Sequence, residues 1–142
     1  MSTSRFGLSC AISTPFDAKC AIDVPRLVAH AKERLRRGCD SITLFGTTGE
    51  GASIGLAARG RVIEAMIAAG IVPRRQLLST VVASSIEDAA DQARMALDAD
   101  LRGMLLTPPF YFRGVSDDAL FGWFGQLFDR LGGRARDMFA YH

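Results

Sequence analysis

Five consecutive residues, Gly46-Thr47-Thr48-Gly49-Glu50, follow the apolar run Ser41-Ile42-Thr43-Leu44-Phe45 and carry the chemistry most open to reading in this chain. Two glycines let a backbone turn sharply and aim N–H groups at a ligand, and each of the two hydroxyls between them can donate and accept a hydrogen bond. Such a loop at the end of a strand suits a small carboxylate; the same five letters also suit a plain strand-to-helix turn. A second group able to act on such a ligand is Tyr141. Its phenol, with an ordinary pKa of about 10, can pass a proton both ways when a chain of hydroxyls links it to water. Taken alone, Tyr141 also reads as a buried tyrosine closing a strand, and Tyr111 as a loop aromatic packed on Phe110 and Phe112.

The other reactive side chains offer less. Cys10, Cys20 and Cys39 are odd in number and lack C-x-x-C spacing, which predicts three reduced thiols in a cytoplasmic protein. His30 falls inside a helical pattern and His142 is the last residue. Neither has a metal-type partner, and without an H-E-x-x-H word or a carboxylate cluster no metal and no cofactor is expected. Lys19 belongs to the polar turn Asp17-Ala18-Lys19 and Lys32 to a helix. Both are places for solvated lysines and not for a desolvated nucleophile of lowered pKa.

The elements that must position these residues alternate as βα units of roughly thirty residues, the pattern of a parallel sheet. Strands are expected at Leu8 to Thr14, Ser41 to Phe45, Gln76 to Val82, Gly103 to Thr107 and Asp137 to Tyr141. Asp23 caps a first helix with Pro25 in its first turn and Leu27, Val28, Ala31 and Leu35 on its apolar face, stopped by Gly38. Arg34, Arg36 and Arg37 fall at its end, where cations complement the helix dipole. A second helix runs from Leu56 to Ala69, with Val62, Ile63, Met66 and Ile67 on one face and Gly70 at its end. Ser84 or Ser85 caps a third, with Glu87 and Asp88 in the first turn and Ala89, Ala93 and Leu97 inward. A fourth begins at Asp117, uses Leu120, Phe121, Phe124, Leu127 and Leu131, and breaks at Gly132-Gly133.

Composition narrows the partners. The chain has 142 residues, 49% of them hydrophobic and 23% charged, with a formal net charge of +2 and a mean hydropathy of +0.16. That is enough for one domain without an internal boundary, and the dispersed arginines argue against nucleic acid. No run of about twenty apolar residues and no secretory leader is present, so a cytoplasmic protein with no membrane partner is expected. A small doubly wound domain binding a phosphate at the Gly46 loop is the competing architecture, but no Gly-Lys-Ser/Thr follows that loop and no G-x-G-x-x-G opens the first helix.

Thr14-Pro15-Phe16, Gly46 to Glu50, Pro109-Phe110-Tyr111-Phe112 and Tyr141 each fall just past the carboxyl end of an expected strand, the active-site face of a βα barrel. In their order, S-T-P-F, G-T-T-G-E, L-L-T-P-P-F-Y-F and F-A-Y-H resemble the dihydrodipicolinate synthase/N-acetylneuraminate lyase family of pyruvate-dependent class I aldolases, from about Leu8 to His142. The resemblance implies a TIM (β/α)8 barrel. A complete barrel takes about 250 residues, so this chain would supply the first four βα units and the fifth strand. It implies a Schiff-base mechanism in which a lysine condenses with pyruvate and the resulting enamine attacks an aldehyde, or the reverse. Gly46, Thr48 and Gly49 would hold the pyruvate carboxylate, Thr48 through its hydroxyl and the adjoining N–H groups. Thr47, Tyr111 and Tyr141 match the family's proton-relay trio. Because relatives use the matching tyrosine to reach a neighbouring subunit's site, the resemblance also implies a homo-oligomer, a dimer or tetramer. Glu50 would anchor the loop.

The chain departs from the family pattern at the nucleophile. There the Schiff-base lysine stands on the sixth strand, one βα unit beyond the strand ending in Tyr141. The chain as given is therefore expected to be the N-terminal half of such an enzyme and inactive alone, the alternative of another class being a non-catalytic truncated fragment. Two threonines in G-T-T-G-E favour a synthase, whereas Pro109-Phe110-Tyr111-Phe112 replaces the synthases' Tyr-Tyr-Asn-type loop and keeps a sugar-acid aldolase open, an N-acetylneuraminate lyase or a 2-keto-3-deoxygluconate aldolase. The histidines of a lysine-feedback site have no match.

Overall fold

The computed structural model describes residues 6–135 and 137–141, so of the residues singled out above only His142 lies outside it. Helix starts follow the capping chemistry of the sequence. The Asp23 carboxylate accepts from the Arg26 N–H at 3.1 Å to open α1 (Val24–Arg36), Ser85 from the Asp88 N–H at 3.1 Å to open α4 (Ile86–Asp98), and Ser116 from the Ala119 N–H at 3.3 Å to open α5 (Asp117–Leu131). The ends of α1 and of α2 (Leu56–Ala68) close in the same way: Gly38 and Gly70 take left-handed φ values of 102° and 87°. Their N–H groups and those of Cys39 and Ile71 then bond back to the last carbonyls. At the end of α1, Arg36 and Arg37 share the Glu33 carboxylate.

Five strands, β1 (Ser9–Ala11), β2 (Ser41–Leu44), β3 (Leu77–Val81), β4 (Gly103–Leu106) and β5 (Met138–Ala140), form one parallel sheet in sequential order. Sequential order has no switch point where strand order reverses, which removes the doubly wound alternative. Alternation gives the sheet two unlike faces. One face sends Ile42, Leu44, Leu77, Val81, Met104 and Leu106 into a core completed by Leu27, Ala31, Val62, Met66, Ala89, Ala93 and Leu127 of the helices. The register Ala11↔Thr43, Thr43↔Leu78, Thr80↔Leu105, Leu105↔Phe139 lays out the other, and it is rich in hydroxyls.

The strands are shorter than the apolar runs that announce them, because their last residues leave the ladder to build loops. Phe45, expected in the second strand, turns out at φ 61°, and Ile12 to Thr14, Val82 and Thr107 likewise lie past strand ends. A one-turn α3 (Pro73–Gln76), absent from the sequence reading, precedes β3. Two residues assigned to buried helix faces are open: Ile67 is partly exposed and Phe121 is 80% exposed. Phe121 borders an apolar groove of about 660 Å³ with Leu120, Phe124, Phe128, Met138 and Ala140, on the β5 flank of the sheet.

Candidate active site

The Gly46 loop is built by close approach more than by glycine freedom. Its left-handed residues are Phe45 and Glu50, at φ 61° and 53°. Within the turn the N–H groups of Gly49 and Gly51 donate to Gly46 O, at 3.1 and 3.0 Å, and that of Glu50 to Thr47 O at 3.1 Å. The N–H groups of Thr47 and Thr48 enter none of these bonds. A Cβ at Gly49 would stand 2.9 Å from Ile12 O, and one at Gly51 only 1.7 Å from Phe45 O, so both must be glycine. Gly46 is less constrained: its φ is not left-handed, and a Cβ there would make an ordinary 3.5 Å contact with Thr80 Oγ1. From β1's end, Thr14 Oγ1 donates to Gly49 O at 2.7 Å.

Glu50 enters the loop's bonds through its backbone, and among the described residues its exposed side chain makes no cap bond. The side-chain anchor is Arg59 of α2, which the sequence reading missed. At 1% exposure its guanidinium donates to Gly51 O at 2.7 Å, Thr80 O at 2.8 Å and Ile54 O at 3.0 Å, and it lies 4.8 Å from the centre of the Phe45 ring. Burial lowers its pKa to about 10, still far enough above neutrality to keep it charged. The available signal was its place at the 59, 62, 63, 66 spacing of the buried face of α2.

Over the sheet's hydroxyl-rich face, at the carboxyl ends of the strands, the loop closes a cavity of about 70 Å³ lined by Thr43, Thr47, Thr48, Thr80, Thr107 and Tyr141. Tyr141 is held there because its N–H donates to Leu106 O at 2.9 Å, one residue past β5. Thr43 shares a 2.8 Å hydrogen bond with Ser9, and Thr107 donates to Val81 O at 2.9 Å. Thr80, 2% exposed, is buried with no partner for its hydroxyl among the described residues; it too was missed. Of the residues singled out from sequence, Gly46, Thr47, Thr48 and Tyr141 therefore meet at one cavity. Gly49 lies behind the loop as a packing position. Tyr111, 75% exposed and edge-on to Phe112 at 5.1 Å, borders a separate cavity of about 580 Å³ with Ser84, Asp88 and Gln92.

Lys19 and Lys32 are exposed, and neither lines the Tyr141 cavity. The three thiols are free. Burial first, and then the adjacent Cys39, pushes the Cys10 thiol up, away from a reactive thiolate. Among the described residues no helix is long and apolar enough to cross a membrane.

The family model of the dihydrodipicolinate synthetase family matches residues 5–128, most of the chain. The chain belongs to that family. It is similar to the crystal structure of dihydrodipicolinate synthase from Agrobacterium tumefaciens, with 50% identity and a TM-score of 0.93 over 97% of this chain and 48% of that one. The 4-hydroxy-tetrahydrodipicolinate synthase 1 of Streptomyces coelicolor is 32% identical over 92% of this chain and 42% of its own length. Proteus mirabilis N-acetylneuraminate lyase matches at 25% identity and a TM-score of 0.81, over 98% and 46%. The chain thus spans a little under half the length of these relatives, and its sheet is the first five strands of the barrel that the dihydrodipicolinate synthetase family shares.

Proposed function

We propose that this chain forms the carboxylate-binding and proton-relay part of a pyruvate-dependent class I aldolase of the dihydrodipicolinate synthase type, joining pyruvate to an aldehyde. The observation that carries this reading is the meeting of Thr47, Thr48 and Tyr141 at one hydroxyl-lined cavity beside two N–H groups outside the turn's own bonds. A lysine amine adds to the ketone carbon of pyruvate and water leaves, giving an imine. Loss of a methyl proton gives the enamine, whose carbon attacks the aldehyde. Thr48 and the loop N–H groups hold the carboxylate while Tyr141 and Thr47 carry protons to and from the reacting centre. The exposure of Tyr111 suits a residue that completes this relay in a neighbouring subunit of a cytoplasmic homo-oligomer.

The positions of Lys19 and Lys32 leave them out of the chemistry, so the nucleophile belongs to a segment outside these 142 residues, and the 142-residue piece alone forms no imine. Borohydride reduction of the protein expressed from its complete reading frame, with pyruvate present, followed by peptide mapping, tests this. A pyruvyl adduct on a lysine outside residues 1–142 is expected; an adduct on Lys19 or Lys32, or none at all, overturns it. The second reading is a sugar-acid aldolase. It is favoured by Pro109-Phe110-Tyr111-Phe112 in place of a synthase-type loop and by the likeness to N-acetylneuraminate lyase.

A further inference from the structure

We propose that Thr80 is a ligand-binding residue of the Tyr141 cavity, its hydroxyl donating a hydrogen bond to the carboxylate of the 2-oxo acid held there. The inference rests on the function proposed above. Thr80 stands on the central strand of the sheet, in register with Leu105, with its carbonyl tied to Arg59 at 2.8 Å, so its side chain projects from a rigid base. The hydroxyl is buried without a partner among the described residues, whereas the neighbouring cavity hydroxyls of Thr43 on β2 and Thr107 just past β4 are both satisfied within the protein; Ser41 of β2 is also buried and unpartnered but does not line the cavity.

A buried hydroxyl left unpaired destabilises the empty fold, and valine would fill the same space without that cost. The partner that justifies a threonine must then come from what fills the cavity. The cavity's volume of about 70 Å³ is well above the roughly 10–15 Å³ needed to hold one water and is on the scale of a small three-carbon acid. A carboxylate only accepts hydrogen bonds, and donation to it is charge-assisted. The van der Waals distance of 3.5 Å from Thr80 Oγ1 to the place of a Gly46 Cβ sets the hydroxyl beside the start of the loop. An acid seated on the N–H groups of Thr47 and Thr48 meets Thr80 from the strand side.

The test compares Thr80→Val, Thr80→Ser and Thr48→Val in the protein expressed from its complete reading frame, reading KM for pyruvate, kcat and the melting temperature without pyruvate. Thr80→Val is expected to raise KM roughly ten- to a hundredfold with a much smaller change in kcat. Thr80→Ser should bring KM back to within a few-fold of the parent. Without pyruvate, Thr80→Val should melt at or above the parent, because a methyl replaces an unpartnered hydroxyl. If Thr48→Val raises KM and Thr80→Val does not, the cavity position holds water and the Thr80 assignment alone is overturned. A lower melting temperature for Thr80→Val with KM unchanged would make the hydroxyl structural, also overturning it. Absence of pyruvate-dependent turnover in the parent would remove the proposed function, and this inference with it.

Discussion

Tyr141 and Thr48 line the same cavity, and on the proposed function they act at different moments, so their substitutions should separate kinetically. In the protein expressed from its complete reading frame, Tyr141→Phe keeps the ring and its packing and removes only the proton carrier. It should lower kcat by about 10²–10⁴-fold with little change in KM for pyruvate. On the same reading Thr48→Val removes a hydroxyl that holds the ligand before and during reaction alike, and should raise KM with kcat largely retained. Steady-state kinetics of the two variants checks both, and an unchanged turnover in Tyr141→Phe would take it out of the relay. At this scale the sequence made the loop and its hydroxyls legible because glycines and threonines past an apolar run are unusual enough to notice. Arg59 and Thr80 escaped for the opposite reason: an arginine in a helix reads as surface, and a threonine in a strand reads as an ordinary β-former. Only the register and burial distinguish them.

The loop, the start of α2 and the end of β3 behave as one element through Arg59, whose three bonds reach Gly51, Ile54 and Thr80. Arg59→Lys keeps the charge but replaces a planar fork with a single ammonium that cannot span three diverging carbonyls. Hydrogen bonds to charged groups contribute about 1.5–3 kcal/mol each, and some will be recovered by water. A loss of about 2–4 kcal/mol in unfolding free energy is expected, with KM for pyruvate rising because the N–H groups of Thr47 and Thr48 are no longer held in place. Denaturant melts and kinetics on the same variant test the coupling, and a destabilised variant of normal KM would show that the loop keeps its shape without the anchor. The bounds of the four long helices were readable to within a residue or two because caps are local chemistry: Asp23 and the Ser84-Ser85 pair at starts, Gly38 and Gly70 at ends, with the Ser116 cap before Asp117 added by the structure. Strand ends were not, since nothing local to Phe45 or Thr107 says where the ladder stops and the loop begins.

For the molecule as a whole, alternation of apolar runs and helical periods was enough to give a parallel α/β sheet, and the sequential strand order follows from short right-handed βα units. What no local pattern carried was which apolar side chains would remain uncovered. Phe121 has the spacing of a core residue, yet it and Phe128 border the groove beside β5, where β1 and β5 remain the two unjoined edges of the sheet. Unpaired strand edges and contiguous apolar surface both favour association. Leu8, Phe110, Phe112 and Phe139 add further exposed area. The 142-residue chain produced by itself should therefore self-associate or remain loosely packed, since the inner face of five strands lacks the side chains that fill a closed barrel and ordering the chain costs entropy at every residue. Size-exclusion chromatography should show oligomers, and denaturant melts a broad transition with a low slope for its size. A monomer unfolding in one sharp cooperative step would mean that the helix-facing core, from Leu27 to Leu131, suffices without anything packed on the groove or the hydroxyl face.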